Sequence, residues 1–212
     1  MVEKDAVRRG YDELAEEYAE QRPAEGRQMD LLGEFLEPVG ESARLLDVGC
    51  GQGTPVLSRL AELGPAVGVD FSRSQLNLAD EDVPEADLLQ GDMTRLPVRD
   101  GAFDALTAYH SLIHVPHDEH QAVVDEFARV LRPGGRVLVS EGPNEWCGEN
   151  PDWLDTGTEM QWHIAGADAT RDHLRNAGFT VEDEWGTTDE FADEEERWVY
   201  FSAQLASSPD RR

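Results

Sequence analysis

Apolar residues recur at helical spacing near the start of the chain. Val7, Tyr11, Leu14, Ala15 and Tyr18 predict a helix over residues 3–21, stopped by Pro23. Met29, Leu32, Phe35 and Leu36 repeat the spacing over 27–37, ahead of Pro38-Val39-Gly40. The pattern then changes to short apolar runs of buried-strand type at 43–49, 66–70, 86–92, 103–110 and 136–142. Helical stretches over 54–63, 73–81 and 118–131 alternate with them. Such alternation predicts an α/β fold with a parallel, doubly wound sheet. In the tail, a helix ending at Gly178 precedes strands over 179–185 and 197–205. No helical pattern lies between these two strands, so they pair as a hairpin and one of seven strands runs against the rest. The segment 143–166, "PNEWCGENPDWLDTGTEMQWHIAG", is polar, turn-rich and aromatic, and reads as a lid or specificity element.

Composition narrows the setting. At 212 residues the chain is long enough for one well-buried domain and short for two. No run approaches the roughly 18 apolar residues of a membrane span. The start of the chain lacks the apolar core of a signal peptide. Cys50 and Cys147 make no disulfide framework, and the expectation is a cytoplasmic protein. Charge changes the picture more: 45 acidic residues stand against 18 basic ones, for a net charge of −27. A domain this acidic repels itself unless salt screens it, which predicts a salt-loving source. With no basic stripe to neutralise phosphates, a nucleic-acid partner is not expected.

Candidate chemistry begins at "LLDVGCGQGTP", Leu45–Pro55, where a buried strand hands over to a helix through three alternate glycines. One glycine would serve a tight turn. Three let backbone approach a ligand at the carboxyl edge of the sheet, where open α/β folds bind. A dinucleotide fingerprint needs a glycine at position 54, but Thr54 stands there and the third glycine is Gly53. Asp47 precedes the loop, which suits a cationic ligand better than a pyrophosphate. Asp70 ends the second strand, where an acid accepts hydrogen bonds from ribose hydroxyls. Asp92 closes the third, beside the apolar Met93. The three acids cap adjacent strands.

"LLDVGCGQG", "VGVDFS", "GDMTRLPVRDGAFDAL" and "RVLRPGGRVLVS" resemble, in order and spacing, the successive motifs of class I S-adenosylmethionine-dependent methyltransferases. The resemblance covers residues 40–142, and the tail is similar to that family's last two strands. It implies a Rossmann-like, seven-stranded sheet, mostly parallel with a reversed last strand, and helices on both faces. It also implies one domain: a helical cap at 1–40, a cofactor-binding core at 41–142, the lid at 143–166 and a tail at 167–205. The implied cofactor is S-adenosylmethionine. Gly49, Cys50, Gly51 and Gly53, with Asp47, would hold its methionine end; Asp70 and Phe71 its ribose; Asp92 and Met93 its adenine. Backbone at Tyr109 and His110 would face the amino group. Tyr11 and Tyr18 match a helix that folds over the cofactor in many such enzymes, and equally suit ordinary core aromatics.

Methyl transfer from a sulfonium is an in-line displacement, and a base is needed only where the acceptor must lose a proton. His110, His114, His117 and His120 cluster after the fourth strand, with His117 and His120 expected in solvent. His114 is the candidate general base, or else a polar lining residue. A metal is not expected, since no H-E-x-x-H spacing is present. His163 and Trp162, with Trp146 and Trp153, are candidates to face the acceptor, or to pack the lid down. The expected partner is a small-molecule methyl acceptor. An NAD(P)-dependent oxidoreductase and a non-catalytic cofactor-binding module are the competing readings.

Overall fold

The computed structural model describes residues 2–21, 25–189 and 196–207. Its main sheet holds seven strands: β1 (Leu45–Val48), β2 (Ala66–Asp70), β3 (Asp87–Gln90), β4 (Phe103–Ala108), β5 (Leu131–Glu141), β8 (Phe179–Asp189) and β9 (Glu196–Leu205). They lie in the order β3-β2-β1-β4-β5-β9-β8. All neighbours up to β5 are parallel, whereas β9 runs antiparallel to both β5 and β8. The order reverses between β1 and β4, so helices leaving those strands lie on opposite faces and a crevice opens at their carboxyl ends.

Both faces of the sheet are covered, which is why its strands read as continuous apolar runs. Leu46 and Val48, Leu106 and Ala108, Val137 and Val139, and Phe201 point into one core with Val123, Phe127 and Leu174. The alternate residues Leu45, Ala105, Leu138 and Tyr200 enter the other, with Leu32, Leu57, Leu60 and Leu76. The first core is roofed by α6 (His120–Val130) and α7 (Ala167–Asn176), the second by α3 (Arg27–Leu36), α4 (Val56–Ala61) and α5 (Arg73–Asp82).

Three features depart from the expectations above. The segment expected to be a single amino-terminal helix is two, α1 (Lys4–Glu13) and α2 (Ala15–Gln21), broken at the buried Leu14. The break sets Tyr18 edge-on against Tyr11 at 5.2 Å, while Tyr11, Leu14 and Met160 share a third small core. Pro23, the expected stop, lies outside the described residues. The lid segment at 143–166, for which no strands were expected, is largely an antiparallel hairpin of β6 (Trp146–Trp153) and β7 (Thr158–Ile164). Gly148, Asn150 and Pro151 obscured the first strand, but β7 alternates Glu159, Gln161 and His163 with Met160, Trp162 and Ile164. Finally, β5 starts at Leu131, five residues earlier than its apolar run. Phe103 pairs with Leu131 and Ala105 with Arg136, so the "RPGG" turn is a bulge within the strand.

Candidate functional site

The crevice is built from the loop after β1 outward. Gly49 and Gly51 have φ of +75° and +55° and both line the pocket. A side chain at Gly49 would overlap Ser111, whose hydroxyl donates to the Val48 carbonyl at 3.0 Å. At Gly51 the space is open: a methyl group added there would meet only Gln75 Oε1, at 3.5 Å. Backbone is therefore laid bare to the pocket at Gly51. Gly53, also at positive φ (+88°), faces elsewhere: its missing side chain admits Val83 and Ala79.

Asp70 is buried beside this loop. Its Oδ2 accepts from the Gly51 amide at 2.9 Å and its Oδ1 from the Ser72 amide at 2.8 Å. Burial pushes its carboxyl up to about 6 although these donors pull the other way. The Phe71 amide is a third donor to the carboxylate, which as an acceptor of several hydrogen bonds keeps capacity for a ligand. Phe71 continues the wall. Asp92 lines the far end, where Oδ1 accepts from the Thr94 amide and Oδ2 pairs with Lys4 at 2.8 Å. Met93 stands beside it.

Helix α1 covers the crevice through three contacts. Asp12 accepts from the Ser72 hydroxyl at 2.7 Å, and Lys4, the chain's one lysine, joins Asp92 and Glu119. Tyr11 meets His114 Nε2 at 2.8 Å, while His114 Nδ1 lies 2.9 Å from the Gln161 carbonyl. A carbonyl only accepts, so Nδ1 carries the proton and Nε2 accepts from the Tyr11 hydroxyl. Burial lowers the ring to about 4, which keeps it neutral at neutral pH. Both nitrogens are thus engaged, tying α1 to β7. Tyr11 and Tyr18 both line the pocket.

The structure gathers Gly49, Gly51, Asp70, Phe71, Asp92 and Met93 around one cavity. Tyr18, Tyr109, His110 and His114 complete its walls. His110 has φ +50° and its amide donates to Ser140 Oγ at 2.7 Å. Three expected ligand residues are placed elsewhere. Asp47 lies beneath the loop, accepting from Thr107 Oγ1 at 2.7 Å. The Cys50 thiol packs toward Gly68, its pKa pushed well up by burial. Gly53 seats the loop on α5. Trp162 packs against His114 and Trp153 rather than on the cavity, and His163 belongs to a separate group with His117, His120 and His173. There His120 is fully buried, correcting its expected place in solvent: its Nε2 donates to the Val115 carbonyl at 3.0 Å. Among the described residues no three His, Cys, Asp or Glu side chains are arranged to hold a metal ion.

Sequence reasoning missed Gln75, Ser111 and Lys4, all on the pocket wall. A signal existed for Gln75: it is a polar residue on the inward stripe of α5 with Leu76 and Ala79. Nothing in the sequence marked Ser111.

Residues 46–139 match the family model described as a methyltransferase domain. Over those residues the chain is similar to methyltransferase domains. Among curated proteins it is 37% identical over 122 residues to the methyltransferase GfsG of Streptomyces halstedii, covering 54% of this chain and 43% of that one. It is 38% identical over 104 residues to a demethylmenaquinone methyltransferase of a Mycobacterium species, covering 49% and 43%. The matches thus span less than half the length of either relative. A SAM-dependent methyltransferase of Methanosarcina mazei shares the fold, with a TM-score of 0.72 at 20% identity over 84% of this chain and 98% of that one.

The methyl donor of this family is S-adenosylmethionine, and the domain's residues fit it. Gly51 offers open backbone, Asp70 offers unfilled lone pairs, and the buried Gln75 amide has no partner among the described residues. Each would be a cost in a crevice closed on itself.

Proposed function

We propose that the protein is an S-adenosylmethionine-dependent methyltransferase acting on a small-molecule acceptor. The observation that carries this is Asp70, fixed by two backbone amides at the edge of a loop whose glycine backbone lies open to the same cavity. When bound, the donor supplies an electrophilic methyl group on a sulfonium with a neutral thioether as leaving group. The chain's part is to orient and to exclude water. Asp70 holds the nucleoside, Met93 and Phe71 give apolar walls, and the Tyr11–His114–Gln161 chain fixes α1 as a cover. His114 acts here by positioning Tyr11; a ring neutral to about pH 4 with both nitrogens engaged is a poor proton acceptor. Relatives include a demethylmenaquinone methyltransferase and a 27-O-demethylrifamycin SV methyltransferase, which supports a small-molecule acceptor.

Calorimetric titration with S-adenosylhomocysteine and with NADH tests the reading. Binding of the first and not the second is expected; preference for NADH makes the protein an oxidoreductase instead. Transfer of label from methyl-labelled donor to demethylmenaquinol or 27-O-demethylrifamycin SV separates an enzyme from a binding module. With its net charge of −27, the protein belongs in a saline cytoplasm, where counterions screen repulsion over a few ångströms. No described helix is long and apolar enough to cross a membrane. A melting temperature that fails to rise between low and molar salt rules the saline setting out.

A further inference from the structure

We propose that Gln75 contacts the donor directly, its side-chain amide and the Asp70 carboxylate together clasping the two ribose hydroxyls. This rests on the donor-binding reading above and adds a residue that the family's glycine and acid motifs do not include. Gln75 is 1% exposed and lies on the pocket wall. Neither its Oε1 nor its Nε2 has a hydrogen-bond partner among the described residues. The other buried orphans among those residues are single atoms: His120 Nδ1, Arg136 Nε, His173 Nδ1 and Trp198 Nε1. Gln75 alone among them leaves both of its polar atoms unsatisfied.

Nothing local accounts for a glutamine there. Its neighbours on the inward stripe of α5, Leu76 and Ala79, are apolar, and an aliphatic side chain would fill the place without loss. Its backbone amide is served by the Ser72 cap at 3.2 Å, so the side chain takes no part in capping. What it does have is position. Gln75 Oε1 is the one atom near the open side of Gly51, and the Gly51 amide is the group that binds Asp70 Oδ2. Loop, carboxylate and amide converge on one spot.

The chemistry of the spot selects the group. A carboxylate only accepts, and Asp70 already takes backbone donors on both oxygens. A primary amide both accepts and donates. A vicinal diol, with two donors and several lone pairs, satisfies the two together. A ligand carboxylate would satisfy Nε2 alone, leave Oε1 orphaned and lie against the Asp70 charge. A pyrophosphate fails in the same way.

The test is calorimetric titration of wild type and Gln75→Met with S-adenosylhomocysteine and its 2′-deoxy and 3′-deoxy analogues. Methionine keeps the length and removes both hydrogen-bonding atoms. Gln75→Met is expected to bind S-adenosylhomocysteine about tenfold more weakly. The penalty that wild type shows for losing one hydroxyl is expected to shrink in the variant. Without ligand, Gln75→Met should melt no lower than wild type, because an unpaired buried amide has been removed; a residue that is merely structural would show the opposite. Gln75→Leu serves the same comparison should the methionine variant fold poorly. Unchanged affinity with undiminished hydroxyl discrimination overturns the role of Gln75 while leaving the donor site intact. Failure of wild type to bind S-adenosylhomocysteine at all overturns the methyltransferase reading itself, and this inference with it.

Discussion

Gly51→Ala isolates the claim that bare backbone faces the ligand. Gly51 has φ +55°, a region that costs an L-residue about 1–2 kcal/mol. The added methyl meets nothing closer than Gln75 Oε1 at 3.5 Å, an ordinary contact, so no steric cost follows. For a chain of this size, about 1 kcal/mol lowers the melting temperature by about 2–4 °C. In the bound state the methyl stands where the ligand must approach. Pushing the nucleoside back costs its hydrogen bonds to Asp70, about 1–3 kcal/mol, or about 5- to 150-fold in affinity. Gly49→Ala makes the contrast: φ is +75° and the methyl overlaps Ser111, so strain and overpacking together cost about 2–5 kcal/mol in folding. Gly40→Ala, exposed with no neighbour within 4 Å, should change neither quantity. Scanning fluorimetry gives the stabilities and calorimetry with S-adenosylhomocysteine the affinities. Wild-type affinity in Gly51→Ala refutes the close approach; a stability loss equal to that of Gly49→Ala refutes the open space.

Two predictions concern pH. Asp70 is raised by burial to about 6 from 3.8, so the folded protein takes that proton more readily than the unfolded chain. The contribution of Asp70 to ligand-free stability should therefore gain as pH falls from about 6 towards 3.8, read as the difference between wild type and Asp70→Asn, while donor affinity falls with loss of the accepting carboxylate. Asp70→Asn should flatten that affinity profile, and an unflattened one would place the ribose elsewhere. His120, lowered by burial to about 4 from 6.5, should remain neutral by NMR at pH 6. Its sign is the reverse: the unfolded chain takes the proton more readily, so the stability it allows above about 6.5 is lost as pH falls towards about 4. A midpoint near 6.5 would mean the ring is solvated after all.

Much of the fold was legible because both sheet faces are buried. Leu45, Leu46 and Val48, or Val137, Leu138 and Val139, must then all be apolar, and the runs announce themselves. Turn chemistry marked the loop after β1, since Gly49 and Gly51 take backbone angles that other residues resist. The strand-end acids Asp70 and Asp92 drew notice through their agreement with Asp47 on adjacent strands, since in a chain with 45 acidic residues a single strand-end carboxylate has an ordinary structural explanation. The β6–β7 hairpin escaped because one of its strands is exposed and studded with Gly148, Asn150 and Pro151, leaving no alternation to read.

Sequence by itself thus determined the strand order's raw material and the place of the crevice. Those properties are local, set by periodicity, glycine and charge within a few residues. Only the tertiary structure decided which motif residues face the cavity. Asp47, Cys50 and Gly53 sit within the motif yet turn to Thr107, Gly68 and α5. Only it brought Tyr11 to His114 across 103 positions and left the Gln75 amide buried without a partner among the described residues. Such pairings depend on how α1, α5 and β7 pack together, and a one-dimensional pattern carries no record of the contacts between them.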